Sequence, residues 1–116
     1  MARRTAFLYD DRMSQHVLSD THPMRPIRLK YTHELLHGYG AFDSETSRLV
    51  SPRAATENEV LSYHTPEYIE AVRAIGEGEH SVNPAAHNFG QGDNPPYAGM
   101  YDAAMLSTGG AVKAAE

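Results

Sequence analysis

His33-Glu34-Leu35-Leu36-His37 is the segment whose residue types and spacing could do chemistry most directly. In H-E-x-x-H, two histidines one helical turn apart bind zinc while the Glu serves as base. Gly40 and Asp43 extend the match, falling where a turn and a third ligand would follow. A metallopeptidase is the chemistry that spacing would support. The surrounding helix argues otherwise. Pro26 marks a helix start, Gly38 or Gly40 an end, and the pattern from Ile27 to about Tyr39 is helical. With about 100° per residue, Ile27, Tyr31, Leu35 and Tyr39 fall on one apolar stripe centred near roughly 80°. His33 and His37 fall near roughly 240° and 280°, beside Lys30 and Glu34. The pair is therefore expected on a solvated face, and that reading is preferred to a zinc site.

Two further stretches carry chemistry-bearing residues. In His22-Pro23-Met24-Arg25-Pro26-Ile27-Arg28, prolines stiffen a loop that leads into the helix. Its arginines either point into solvent or aim a planar fork of donors at a carboxylate or carbonyl. In Phe89-Gly90-Gln91-Gly92-Asp93-Asn94-Pro95-Pro96, glycines permit a sharp turn and prolines fix its exit. Asp93 could accept hydrogen bonds from a ligand's amides, or could cap the next helix or close an Asx-turn; the turn reading is the simpler. His16, His64, His80 and His87 share no metal-ligand spacing, and no P-loop or Gly-x-Ser-x-Gly is present.

The elements that must position these residues alternate in kind. Ala6-Phe7-Leu8-Tyr9 predicts a short buried strand ending in Asp10-Asp11, and Met13 to Pro26 a long loop. Arg48-Leu49-Val50 predicts a second strand. Thr56 with Glu59 predicts a capping box opening a helix through Tyr63. Thr65-Pro66 opens another helix, with Tyr68, Ile69, Val72 and Ile75 inward and an end near Gly76-Glu77-Gly78. After an irregular stretch from His80 to Pro96, a last helix is expected from near Pro96 to Glu116. Gly109-Gly110 weakens that helix and predicts close packing there.

Composition narrows the partners. The 116 residues carry a formal net charge of -5, 41% hydrophobic and 22% charged residues, and no cysteine. The sequence is globular in type, and any metal would need His, Asp or Glu ligands. An acidic chain whose one basic pair is Arg3-Arg4 is not expected to bind nucleic acid. No apolar run has the length of a membrane span, no signal-peptide core follows the basic pair, and a cytoplasmic location is expected.

Taken in order, the motifs resemble one family. They are Tyr9-Asp10-Asp11, His22-Pro23-Met24-Arg25-Pro26 with Arg28, Thr32-His33-Glu34-Leu35-Leu36 with Tyr39-Gly40, and Tyr63-His64-Thr65-Pro66-Glu67-Tyr68-Ile69. Gly92-Asp93-Asn94-Pro95 and Ser107-Thr108-Gly109-Gly110 complete the set. The sequence is similar to the start of the histone deacetylase and acetoin-utilization family of zinc-dependent lysine deacetylases. The resemblance makes the His-Glu-Leu-Leu-His match a coincidence on a scaffold helix.

It implies an α/β chain, the N-terminal part of an arginase/deacetylase-like three-layer fold with a central parallel sheet, incomplete over residues 1–116. Family chemistry is hydrolysis of the acetyl amide on lysine of acetylated proteins. Zinc polarises the carbonyl and activates water, a histidine pair moves protons, and a tyrosine steadies the oxyanion. The resemblance makes Asp93 the rim aspartate that holds the substrate backbone. It puts His22 and Pro23 in the first substrate-binding loop and Arg28 in the inner channel. The family's His-His motif, its Asp-x-His and later Asp zinc ligands and its tyrosine have no counterpart here. The expectation is thus a segment with no catalytic residue and no metal ligand of its own, inactive alone. The alternatives are a zincin-like peptidase using His33, Glu34 and His37, or a non-catalytic interaction module.

Overall fold

The first strand forms where the apolar run predicts it. In a computed structural model describing residues 3–116, β1 spans Thr5–Leu8; Met1 and Ala2 of the expected 1–116 segment lie outside the described residues. A short 3-10 turn, Asp11–Ser14, follows, capped by the Asp10 carboxylate, which accepts from the Arg12 backbone N–H at 2.9 Å. The acidic pair after the strand is thus partly structural: the Arg12 guanidinium also grips Asp10 and holds its carboxyl below the usual range. Helix α1 occupies Ile27–Gly38, and β2 occupies Ser47–Val50.

β1 and β2 pair in parallel, with Thr5 opposite Ser47 and Leu8 opposite Val50. Parallel neighbours need a crossover rather than a tight turn, and the loop together with α1 supplies it. The chain is thus a mixed helix and strand structure on a two-stranded parallel sheet.

Three helices complete it. Helix α2, Glu57–Leu61, starts at the expected capping box: Thr56 Oγ1 accepts from the Glu59 N–H at 3.3 Å and Glu59 Oε1 from the Thr56 N–H at 2.7 Å. It stops before Tyr63. Helix α3, Pro66–Gly76, starts at Thr65, with proline at its first position. Ile75 is buried, and Tyr68, Ile69 and Val72 are half-buried, as their spacing predicts. Ala71 and Ala74 lie deeper still, where α3 and the last helix approach closely.

Helix α4, Met100–Ala115, begins later than Pro96 because Gly99 takes a left-handed φ of 80°. The Gly99 N–H donates to the Gly76 carbonyl at 3.3 Å, tying the start of α4 to the end of α3. Gly109 and Gly110 are buried, as their weak helix propensity required. The backbone of residues 53–55 runs against Gly109, and the Ala55 N–H donates to the Met105 carbonyl at 2.7 Å.

The face of α1 corrects the wheel argument. Tyr31 is 62% exposed, Leu35 59% and Tyr39 80%, so the apolar stripe points outward. The inward side carries Leu29, His33 and Leu36, each half-buried. His33 stacks on Tyr9 at 4.7 Å and on Phe42 at 5.9 Å, and its Nε2 is buried. A flat imidazole packs on these rings as well as an aliphatic group would, so residue polarity misjudged the face. His37 remains exposed.

The buried residues are mostly small: besides Tyr9, Met100 and Leu106, they include Ala55, Val60, Ala71 and Ala74. Among the described residues no large side chain is fully enclosed. The extents are 53 × 33 × 17 Å and the radius of gyration is 16.6 Å. A compact chain of this length has a radius of gyration of roughly 13 Å, so the molecule is a slab thinner than three stacked layers. No helix among the described residues is long and apolar enough to cross a membrane.

Candidate functional site

Two loops build the site. The first leads from the 3-10 turn to α1, and the second leads from residue 88 to α4. They meet at His22 and Asp93. His22 is 9% exposed; its Nδ1 accepts from the Met24 backbone N–H at 3.0 Å, and its Nε2 lies 3.0 Å from the Asp93 carbonyl oxygen. A cleft of about 510 Å³ opens beside this contact, lined by His22 and Pro23 on one side and Gly92, Asp93 and Pro95 on the other.

The turn carrying Asp93 is closed without its carboxylate. Gly90 N–H donates to the Asn94 carbonyl at 3.0 Å, and Asn94 Nδ2 to the Asn88 carbonyl at 2.8 Å. Gly92 takes φ of 103°, a conformation that side chains disfavour. Asn88 is itself left-handed at φ 63°. Asn94 therefore does the turn-closing work that the simpler sequence reading assigned to Asp93. The Asp93 side chain is left exposed at the cleft, able to accept hydrogen bonds from a ligand.

A second contact joins the same loops. His16 stacks on Tyr97, with ring centroids 6.0 Å apart and planes 7° from parallel. His16 Nδ1 is buried with no partner among the described residues. Burial pushes the His16 imidazole below its ordinary range and the Tyr97 phenol above its own. Neither residue stood out in the sequence, where nothing links positions so far apart.

Arg28 lies elsewhere. It is exposed on the first turn of α1 and lines neither the His22–Asp93 cleft nor the larger hollow of about 570 Å³ between the first loop and α1. His64 is exposed, between the rings of Tyr63 and Tyr68.

The sequence profile of the histone deacetylase domain matches residues 22–116. The chain belongs to the histone deacetylase family. The match begins at His22, the residue that ties the two loops of the cleft. Acetoin utilization protein AcuC of Bacillus subtilis is 34% identical over 115 residues, covering 98% of this chain and 29% of that protein. Histone deacetylase 1 of Homo sapiens is 32% identical over 116 residues, covering 97% of this chain and 23% of its own length. Histone deacetylase HDAC1 of Drosophila melanogaster is 32% identical, with 22% of its length covered. The chain thus spans less than a third of the family members it matches.

Family membership implies zinc, and the residues can be tested for it. Among the described residues no three His, Asp or Glu side chains are grouped closely enough to hold a metal ion. His33 and His37 stack with centroids 6.2 Å apart, but Asp43 does not complete a ligand set with them. These residues do not fit a zinc site. The zincin-like arrangement falls with that result.

Proposed function

We propose that this chain supplies the substrate rim of a zinc-dependent deacetylase that hydrolyses acetyl-lysine amides, and that it is inactive alone. The observation that carries the proposal is the shared cleft: His22, Pro23 and Asp93 come together from two loops, with the Asp93 carboxylate free. A carboxylate at a rim can accept hydrogen bonds from successive backbone N–H groups of an extended peptide. Such contacts orient the acetyl-lysine side chain toward a metal held by other parts of a complete domain.

In this reading the intact fold is the three-layer arginase/deacetylase type, of which residues 1–116 form the N-terminal part. Arg28 then lines an inner channel once further chain covers α1. The exposed stripe of Ile27, Tyr31, Leu35 and Tyr39 favours that reading over a self-contained interaction module, which would bury such a face or blunt it with polar residues. The substrates are acetylated proteins, met in the cytoplasm.

The test is acetate release from an acetyl-lysine peptide with zinc supplied. The product of the complete reading frame around this sequence is expected to release acetate, and the 116-residue chain alone to release none. Zinc-dependent release by the short chain would overturn its inactivity. A complete product that releases none would overturn the deacetylase reading.

A further inference from the structure

We infer that His22 is a positioning residue: as a neutral imidazole protonated on Nε2, it sets the backbone of Asp93 and so the place of the rim carboxylate. This rests on reading Asp93 as the residue that holds the substrate.

The geometry specifies the tautomer. Nδ1 accepts from the Met24 N–H at 3.0 Å and therefore carries no proton. The ring proton stands on Nε2, where it donates to the Asp93 carbonyl oxygen at 3.0 Å. Both ring nitrogens are thus committed, one to each loop, in a side chain only 9% exposed. Which nitrogen carries the proton is decided by the bond the other makes.

The contact acts on position rather than on charge. The Asp93 carbonyl is bonded to the α-carbon that bears the side chain, so holding its peptide plane restricts the direction in which the side chain leaves. The turn keeps two ties without His22, from Gly90 to Asn94 and from Asn94 to Asn88. Breaking the His22 bond should therefore free the Asp93 peptide within a turn that still forms. Pro23 follows immediately and limits how far the first loop can yield.

Two substitutions separate this role from simple packing. His22→Gln places an amide donor near the Nε2 position and can keep the Asp93 bond. His22→Asn places a carbonyl near Nδ1, keeping the Met24 bond while falling short of Asp93. In the 116-residue chain, two-bond nitrogen–proton correlations of the imidazole should show the Nε2–H tautomer. Gly92, Asp93 and Asn94 amides should hold their shifts and order in His22→Gln and lose them in His22→Asn. In the product of the complete reading frame, His22→Asn should raise KM for an acetyl-lysine peptide about fivefold, the effect of one lost hydrogen bond, with kcat little changed, and His22→Gln should raise KM by a smaller factor. An Nδ1–H tautomer, or Gln and Asn variants that behave alike, would overturn the positioning role while leaving deacetylation itself untouched. The expected amide pattern in a complete product that releases no acetate would support the positioning of Asp93 and overturn the deacetylase reading instead.

Discussion

Gly109 lies directly against the backbone of Arg53: a Cβ at Gly109 would stand 2.0 Å from the Arg53 carbonyl oxygen. Main chain cannot move aside as a side-chain tip can. Gly109→Ala is therefore expected to destabilise the chain by about 3 kcal/mol, lowering the thermal midpoint by roughly 10 °C or more. Gly110 is the control. A Cβ there meets Pro52 Cβ at 3.4 Å, ordinary contact, and alanine gains about 1 kcal/mol of helix propensity. Gly110→Ala should be neutral or stabilising in the same melt. Equal losses at both positions would contradict the packing described.

Asp93→Ala tests the rim. In the product of the complete reading frame, loss of the exposed carboxylate should raise KM for an acetyl-lysine peptide about tenfold, with a smaller change in kcat. Stability should change by less than about 0.5 kcal/mol, because Gly90 and Asn94, not the Asp93 side chain, close the turn. An unchanged KM would remove Asp93 from the substrate contact.

The His16–Tyr97 stack makes stability depend on pH. Burial holds the folded-state His16 below its ordinary 6.5, so the unfolded chain takes up the proton first as pH falls. The stabilising effect of the neutral ring is complete above about pH 6.5 and declines below it until the folded-state group is itself protonated. Urea unfolding at pH 8 and pH 5.5 should show a larger loss for the parent chain than for His16→Phe. Parallel losses in the two proteins would rule out His16 as the source.

The capping box at α2 gives an acid-stable tie. Arg53 and the Thr56 N–H hold the Glu59 carboxyl down to about 2. Its folded value lies below its unfolded value, so the contribution is present above about pH 4.5 and fades as pH falls toward 2. Thr56→Ala should cost about 1 kcal/mol at neutral pH, measured by urea unfolding.

The two faces of α1 should respond oppositely to substitution. Leu35→Gln replaces an exposed side chain and should change stability by less than about 0.5 kcal/mol while reducing self-association in sedimentation. His33→Ala removes the rings' partner and should cost about 1 kcal/mol. The reverse ranking would restore the face that residue polarity predicts.

These cases show what the sequence discloses and what it withholds. Pro26, the Thr56–Glu59 pair and Thr65-Pro66 act on their own neighbours, so the helix starts they predict are found at those positions. Gly109-Gly110 disclosed close packing because the helix penalty demanded a compensation. The inward face of α1 depends instead on Tyr9 and Phe42, which lie outside the helix, and no wheel contains them. The site divides the same way. His22, Pro23 and Asp93 were legible through family motifs, but the bond between His22 and Asp93 joins residues 71 positions apart and leaves no local trace. Arg28 was legible as a motif, but it lies apart from the His22–Asp93 cleft.

The parallel register of β1 and β2 also imposes an order of events at the ribosome. Thr5 emerges early but has no partner until Ser47 follows, a wait of several seconds at about 5–20 residues per second. During that interval Ala6-Phe7-Leu8 is an apolar strand with both edges open, the kind of segment that nascent-chain chaperones hold. Synthesis rate and chaperone supply, rather than the stability of the finished chain, should then govern how much of it is recovered in soluble form.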